Sequence, residues 1–431
     1  MTDTPLEQWL CYLETLHPNP MDLGLARVGQ VARALGLLPA QAPVVTIAGT
    51  NGKGSTVAVL EALLCAAGKR PGAFTSPHLV RFNERIRVGG KEVDDAVIIA
   101  AFEAIEAVRG TTTLTYFEFG LLAALWVFRQ QAVDCILLEV GLGGRLDAAN
   151  IVDADVAVIT SIDLDHQQWL GETRDVIARE KAGILRAGRP AVLADPAPPL
   201  ALLAAVTEYD ARPVLQIGRD FLLPEEAQRG DVTLTAASGQ RRTLHGVRHA
   251  ELLPANIAAA LQAAELLGLE FDESRVHTAL AGLQLRGRRQ LRSMGGRQYL
   301  FDVAHNPAAI LKLLEKLDAS DCSGRRIALF SAMKDKAVVE MLAPCRAYMD
   351  YWLLPEQPDN PRAMPAPEVA SLLHELGESR IELCEDIPAA ARRCRELLEP
   401  GDLAVVFGSF FTVGGVLASL EEGPEAAVSN E

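Results

Sequence analysis

The sequence predicts an α/β protein of two domains. The first is an N-terminal, P-loop-type domain with a mostly parallel sheet and a small antiparallel sheet; the second is a C-terminal, Rossmann-like doubly wound domain. Three observations predict this. The 431 residues exceed what one hydrophobic core ordinarily organises, since domains run to roughly 100–200 residues. Short β-branched apolar runs alternate with longer helical stretches, the pattern of parallel strands joined by crossover helices. A glycine-rich turn, Gly49-Thr50-Asn51-Gly52-Lys53-Gly54-Ser55, lies between one such run and one such stretch.

Taken in order, residues 44–48 read as a strand feeding that turn, and residues 56–67, rich in Ala, Leu and Val, as the helix leaving it. Further strands are expected at 135–139, 156–160 and 191–194, with helices at 95–108, 117–130 and 174–185. Residues 214–247 change to short, turn-rich pieces, expected to form the small antiparallel sheet. Helices at 256–267 and 272–283 complete the first domain, taken as residues 1–287. The arginine-rich run Arg286-Gly287-Arg288-Arg289-Gln290 predicts a linker, placed at 288–294, and a second domain at 295–431. There the alternation resumes, with strands at 299–303, 326–330, 351–354 and 403–407. The tail 423–431 is expected to fray.

Composition narrows the function. With 49% hydrophobic and 23% charged residues the chain has the balance of a soluble enzyme. A formal net charge of −15 excludes a general nucleic-acid binder, because phosphate backbones would be repelled over most of the surface. An anionic substrate therefore needs a local cationic or metal site. The 7 cysteines are scattered without CxxC pairs, which points to a reducing compartment. The acidic start, residues 1–7, has no apolar signal core, and apolar runs such as 121–128 fall far short of the ~20 residues of a membrane helix. A cytoplasmic protein with neither membrane nor nucleic-acid partner is expected.

A glycine turn between a buried strand and a helix presents backbone N–H groups to an anion, and the helix N-terminus adds a favourable dipole. Lys53 supplies a charge for the β- and γ-phosphates of ATP, and Ser55 or Thr56 a hydroxyl for Mg²⁺. The spacing departs from the commonest phosphate loop: Gly49 and Gly52 are closer together, and Gly54 displaces the hydroxyl by one position. Glu139 ends the apolar strand 135–139 where ligand sites of open α/β sheets lie, and a carboxylate there suits Mg²⁺; a helix-capping or surface glutamate is the plainer alternative. Asp165-His166 follows the strand at 156–160 in a parallel position. Lys181, in Arg179-Glu180-Lys181-Ala182-Gly183, reads on its own as a solvated lysine of a charged helix. Asn256 also fits a helix cap.

These segments, with Met21-Asp22-Leu23-Gly24-Leu25, Thr75-Ser76-Pro77-His78-Leu79, Tyr116-Phe117-Glu118, the run Glu139-Val140-Gly141-Leu142-Gly143-Gly144-Arg145-Leu146-Asp147, Leu164-Asp165-His166 and Phe301-Asp302-Val303-Ala304-His305-Asn306-Pro307, recur in order nearly end to end. On them the chain resembles the Mur-type ligase superfamily, in particular its folate branch. The resemblance implies an ATP-binding central domain followed by a glutamate-ligase domain. It implies that Ser76 and Glu139 hold one Mg²⁺, that Glu139 or its neighbourhood and His166 hold a second, and that a monovalent cation takes part. It makes Lys181 a carbamylated lysine, and Lys53, Lys181, His166 and Glu139 the catalytic set. Asn256, Arg288 (or its neighbour Arg289) and Asp302 join residues 49–55 at the nucleotide. Met21, Asp22, Leu23, Thr115, Tyr116, Phe117, Glu118 and Leu146 line the pterin end, although Phe117 also fits plain core.

The implied reaction joins L-glutamate to 7,8-dihydropteroate and to reduced folates through an acyl phosphate, in a monomer whose two domains close about the arginine-rich hinge. His305 is implied in ordering glutamate or the intermediate, and Lys334-Asp335-Lys336 in lying near the cleft. Asp163 stands where relatives carry a small residue, and Phe411 where a polar one is frequent; Phe411 is assigned no role. Two rival readings remain. A cell-wall ligase acting on a UDP-muramoyl peptide would need a UDP-binding unit ahead of a turn that begins at residue 49. A non-catalytic nucleotide-binding module has no use for Lys53, Ser76, Glu139, His166 and Lys181 together.

Overall fold

A computed structural model of the protein describes residues 4–19, 21–221 and 230–421. Residues 1–3, and the tail expected to fray, lie outside the described residues. The chain forms two compact units, Met1–His78 with Phe82–Leu283, and Leu79–Arg81 with Gln284–Glu431.

The first unit is built on strands Val44–Ala48 (β1), Pro71–Phe74 (β2), Ile86–Val88 (β3), Lys91–Glu92 (β4), Cys135–Glu139 (β5), Val156–Ile159 (β6), Ala191–Leu193 (β7) and Val214–Gln216 (β8). They form one sheet in the order β4-β3-β2-β5-β1-β6-β7-β8, parallel from β2 to β8 with an antiparallel edge at β3 and β4. Every residue of β1 and β5 is buried, as expected of parallel strands covered on both faces, which is why they read as unbroken apolar runs. Ile47 lies opposite Glu139 on one side and Val158 on the other. This register brings the C-terminal ends of β5, β1 and β6 side by side.

Several elements differ from the sequence expectation. β8 extends the large parallel sheet, so the small antiparallel sheet comprises only Val232–Thr235 (β9) and Arg241–Leu244 (β10); residues 222–229 of that stretch lie outside the described residues. The helix expected to reach residue 185 ends at Ala182; Gly183 follows it against Arg145, where a Cβ would sit 2.4 Å from the Arg145 Cα and only glycine allows the approach. Helices Pro5–Leu16, Ala26–Ala34 and Leu200–Glu208 were not expected.

The second unit has strands Gln290–Met294 (β11), Arg297–Phe301 (β12), Arg326–Phe330 (β13), Tyr351–Pro355 (β14), Ile381–Cys384 (β15) and Leu403–Phe407 (β16), in the order β11-β12-β16-β13-β14-β15. All pairs are parallel except β11 with β12. The expected linker at 288–294 is therefore largely an edge strand. Leu291 and Ser293 face outward while Arg292 lies half-buried on the other side, an inverted alternation that concealed the strand pattern. Helices cover both faces of this sheet, and Trp352, Phe330 and Phe407 form an aromatic cluster with centroids 5.0 and 6.3 Å apart.

Helix Pro254–Leu266 is held to β9 by the fully buried Gln262, which donates to the Thr235 carbonyl at 2.8 Å and accepts from the Thr235 N–H at 3.0 Å. Gln262→Met would leave both backbone groups unpaired in a dry environment. We expect a loss of about 3 kcal/mol in urea unfolding, and an unchanged midpoint would contradict this account of the helix.

Candidate active site

The glycine-rich turn leaves β1 at Gly49 (φ 151°) and enters helix Lys53–Ala66 through Gly52, a left-handed residue (φ 89°) at the N-cap. A side chain at either position would collide: at Gly49 with Thr160 Oγ1 at 1.7 Å, at Gly52 with Asn256 Oδ1 at 2.4 Å. The turn is clamped to the loop after β6. Thr50 N–H donates to the Ser161 carbonyl (2.7 Å), the Thr50 hydroxyl donates to the Asp163 carbonyl (3.1 Å) and accepts from the Asp163 N–H (2.9 Å), and the Thr160 hydroxyl donates to the Asn51 carbonyl (2.8 Å). Asp163, whose role the sequence left open, thus holds the turn through its backbone. Its carboxylate accepts from the Leu164 N–H at 2.8 Å.

Two lysines meet at this turn. Lys53 Nζ donates to the carbonyls of Gly49 (3.0 Å) and Thr50 (3.2 Å), while Lys181 Nζ donates to the same Gly49 carbonyl at 2.9 Å. Lys181 is 4% exposed, so the reading of it as a solvated lysine is overturned. Burial, with Lys53 nearby, lowers its pKa to about 7, against the pull of Asp165 and Asp147. Its helix is drawn close by Gly144, where a Cβ would meet the carbonyls of Glu180 and Lys181 at 2.9 Å, and by the Arg145–Glu180 ion pair at 2.9 Å. Asp147, which the site reading did not single out, is buried beside these lysines. Burial raises its carboxyl to about 6, although it accepts from the N–H groups of Leu142 and Ala149, each at 2.9 Å. A carboxylate in a glycine-rich loop looks like a local cap from sequence, and only the fold brings it to Lys53.

Glu139, 3% exposed at the end of β5, accepts from the Ser76 N–H at 3.0 Å, so the surface alternative for Glu139 falls away. Asp165 is buried, and His166 takes a left-handed conformation (φ 51°) with its N–H donating to Asp165 Oδ1 at 2.8 Å. Among the described residues no group of three or more His, Cys, Asp or Glu meets as a metal cluster. Mg²⁺ does not need one: it is held by one or two carboxylates, completing its shell with phosphate oxygens and water. The buried Glu139 beside Ser76 fits that requirement.

At the other candidate subsite, Thr115 and Glu118 form a reciprocal capping box on helix Tyr116–Gln130. Phe117 packs against Phe74 at 5.5 Å, and its ring lies where a Cβ on Gly141 would sit, 2.7 Å away. Tyr116 lies under the buried Arg85 guanidinium, 5.2 Å from its ring centroid. Arg85 Nε donates to His78 Nδ1 at 2.7 Å, and burial followed by Arg85 lowers His78 to about 4, which leaves it neutral. Met21, Leu23 and Leu146 are half-buried, and Asp22 pairs with Arg27 at 2.6 Å. Arg85 and Arg27 were not among the expected residues: Arg85 sits among charges that read as surface, and Arg27 stands among apolar and small residues that give no sign of its partner Glu118.

Asn256 does not cap its helix. Leu253 holds the N-cap without a side-chain bond, and Asn256 is buried against Gly52. In the second unit, Asp302 is buried after β12 and its carboxyl is raised to about 6, chiefly by burial, against the pull of Arg288 and Arg289. Arg288 lies 5.1 Å over Phe410, and Arg289 is left-handed (φ 49°) with its buried Nε unpartnered. His305 bonds the Val303 carbonyl (2.8 Å), and Asn306 caps helix Pro307–Asp318. Lys334 donates to the Pro361 carbonyl, Asp335 pairs with Arg362, and Phe411 is exposed.

Comparison with known proteins agrees with this arrangement. Residues 47–195 match the Mur ligase middle domain, and residues 287–410 the glutamate ligase domain of Mur ligases. The dihydrofolate synthase/folylpolyglutamate synthase of Escherichia coli K12 is 40% identical over 97% of this chain and 96% of its own length. Among solved structures, E. coli FolC in complex with DHPP and ADP matches with a TM-score of 0.89 at 40% identity, covering 97% of this chain and 98% of that one. A bifunctional folylpolyglutamate synthase/dihydrofolate synthase with Mn, AMPPNP and L-glutamate bound matches with a TM-score of 0.87 at 38% identity, covering 97% and 98%.

Gly52→Ala tests the turn directly. The new methyl group strains a left-handed residue by about 1–2 kcal/mol and displaces Asn256. We expect at least a tenfold weaker affinity for ADP by fluorescence titration, with circular dichroism unchanged. Parental affinity would contradict the fit.

Proposed function

The chain belongs to the dihydrofolate synthase/folylpolyglutamate synthase family of Mur ligases, and on that premise we propose how its own residues carry an ATP-dependent ligation of L-glutamate. The observation that carries the reading is the convergence of Lys53 and Lys181 on the Gly49 carbonyl, beside the N-terminus of a helix. Lys53 stands at the mouth of a helix whose N-terminal N–H groups suit an anion, and ATP phosphates are the anion such a turn takes.

In the proposed reaction the acceptor carboxylate attacks the γ-phosphorus and the bond to the ADP oxygen breaks, giving an acyl phosphate. The glutamate amine then attacks the acyl carbon, phosphate leaves and the amine loses a proton. Residues 49–55, with Asn256, seat the phosphates, and Lys53 stabilises the charge that spreads over the transferring group. Ser76, Glu139 and His166 would hold a pair of Mg²⁺ ions, which supply charge neutralisation at the phosphate oxygens; a monovalent cation belongs to the same reading. Arg288 and Asp302 serve the nucleotide, and His305 the glutamate. The acceptors are 7,8-dihydropteroate and the γ-carboxylate of reduced folates, met by residues 21–23, Thr115, Tyr116, Phe117 and Leu146. The capping and ion-pair bonds of Glu118 make it a support of that subsite. No helix among the described residues is long and apolar enough to cross a membrane, and we propose a monomer acting in the cytoplasm.

Lys181 is proposed to react with CO₂: its amine lone pair adds to the carbon, nitrogen loses a proton, and a carbamate anion results. Only the uncharged amine reacts, and with a pKa of about 7 that form grows as pH rises through neutrality. With ¹³C-bicarbonate and dissolved CO₂ held constant, a carbamate resonance should appear as pH rises through about 7 and be absent from Lys181→Ala. That variant should lose nearly all activity and regain part of it with a small carboxylic acid; full activity without the acid would overturn the role of Lys181.

The acceptor is tested by ATP-dependent phosphate release with dihydropteroate plus glutamate, set against a UDP-muramoyl peptide plus amino acid. Release with the pterin alone is expected. Release only with the muramoyl acceptor, or with neither, would overturn the assignment.

A further inference from the structure

We propose that Arg27 is a positioning residue for the acceptor subsite, coupling the loop at 21–25 to the helix turn that presents Tyr116 and Phe117. The inference rests on the folate-side reading of those segments and adds to it a residue that neither touches the reacting atoms nor belongs to the phosphate site.

Arg27 stands in the first turn of helix Ala26–Ala34, which has no acidic residue there and no side-chain cap. A cation at a helix N-terminus opposes the helix dipole, so the helix does not account for it. Its Nε is buried without a partner, a second cost at the same residue. What offsets both is the guanidinium fork. Nη1 donates to Asp22 Oδ2 at 2.6 Å, and Nη2 donates to the Asp22 carbonyl at 3.0 Å and to Glu118 Oε1 at 3.1 Å. Glu118 is almost wholly buried, and its other oxygen accepts from the Thr115 N–H at 2.8 Å, within the capping box that begins helix Tyr116–Gln130. His17 Nε2 lies 3.4 Å from the same Asp22 oxygen. One planar side chain thus joins a loop without regular structure to the cap that fixes Tyr116 and Phe117. A lysine, with a single ammonium, cannot span both carboxylates in this way.

Removing Arg27 alone would leave the Glu118 carboxylate buried and uncompensated, which confuses a local effect with misfolding. The test therefore pairs Arg27→Met with Glu118→Gln, so that the buried partner is neutral, and compares this double variant with Glu118→Gln alone and with Arg27→Lys. KM for dihydropteroate, ATP and glutamate, kcat and the thermal midpoint are measured for each. The double variant should show KM for dihydropteroate raised roughly tenfold over Glu118→Gln, and Arg27→Lys roughly tenfold over the parent, with KM for ATP and glutamate and kcat within about twofold. The double variant should melt near the parent. An unaltered KM for dihydropteroate in the double variant, or a KM for ATP that rises in step with it, would overturn the proposal. A parent protein inactive with dihydropteroate would overturn the functional reading and this proposal with it, whereas an active parent with unaltered variants overturns this proposal alone.

Discussion

The site depends on one carbonyl group shared by two lysines. Gly49 O accepts from Lys53 at 3.0 Å and from Lys181 at 2.9 Å, inside a protein where like charges are costly to hold together. Neighbouring groups register the strain in opposite directions. Burial and Lys53 bring Lys181 down to about 7, while burial brings the Asp147 carboxyl up to about 6 against the pull of Lys53. A chain of net charge −15 has no long-range attraction for ATP, so Lys53, the helix N-terminus and the metal ions proposed at Ser76, Glu139 and His166 have to recruit the phosphates.

The rest of the first unit can be understood as what keeps that meeting point in place. Parallel pairing of β5, β1 and β6 puts the turn, Glu139 and the loop of Thr160 to Asp163 together at the C-terminal ends of the central strands. Glycines at 49, 52, 144 and 183 permit backbone approaches that any side chain would block, and they bring the helix of Lys181 within reach of the turn. The buried Asn256 and Thr160 fill the space those glycines leave. Rigid elements therefore hold the charged groups, and little of the geometry is left to long exposed loops.

What could be read from the sequence follows from what each signal depends on. The turn, β1, β5 and their flanking helices were legible because a glycine cluster between two apolar runs is a local pattern. Glu139 was legible because it ends such a run. Lys181 was not legible from its own surroundings: a lysine among Arg179, Glu180 and other helical charges looks solvated, and only the resemblance marked it out. Arg27 and Arg85 were missed because neither an arginine among apolar residues nor one in a charged stretch carries a sign of a buried partner lying far away in the chain. Asp147 resembled a turn cap for the same reason. The arginine-rich stretch before Met294 was read as a linker, since charge outweighed a weak alternation that became a strand only through pairing with β12. In each miss the deciding contact is tertiary.

The central claim is that this cationic turn activates a carboxylate by transferring phosphate to it. The most direct measurement follows oxygen. Dihydropteroate labelled with ¹⁸O in its carboxylate is turned over with ATP and glutamate, and the released phosphate is examined by ³¹P NMR. An acyl phosphate requires that one carboxylate oxygen leave with the phosphate in each turnover, so the label should appear there in step with product. Phosphate released without ¹⁸O while the ligated product accumulates would contradict the account.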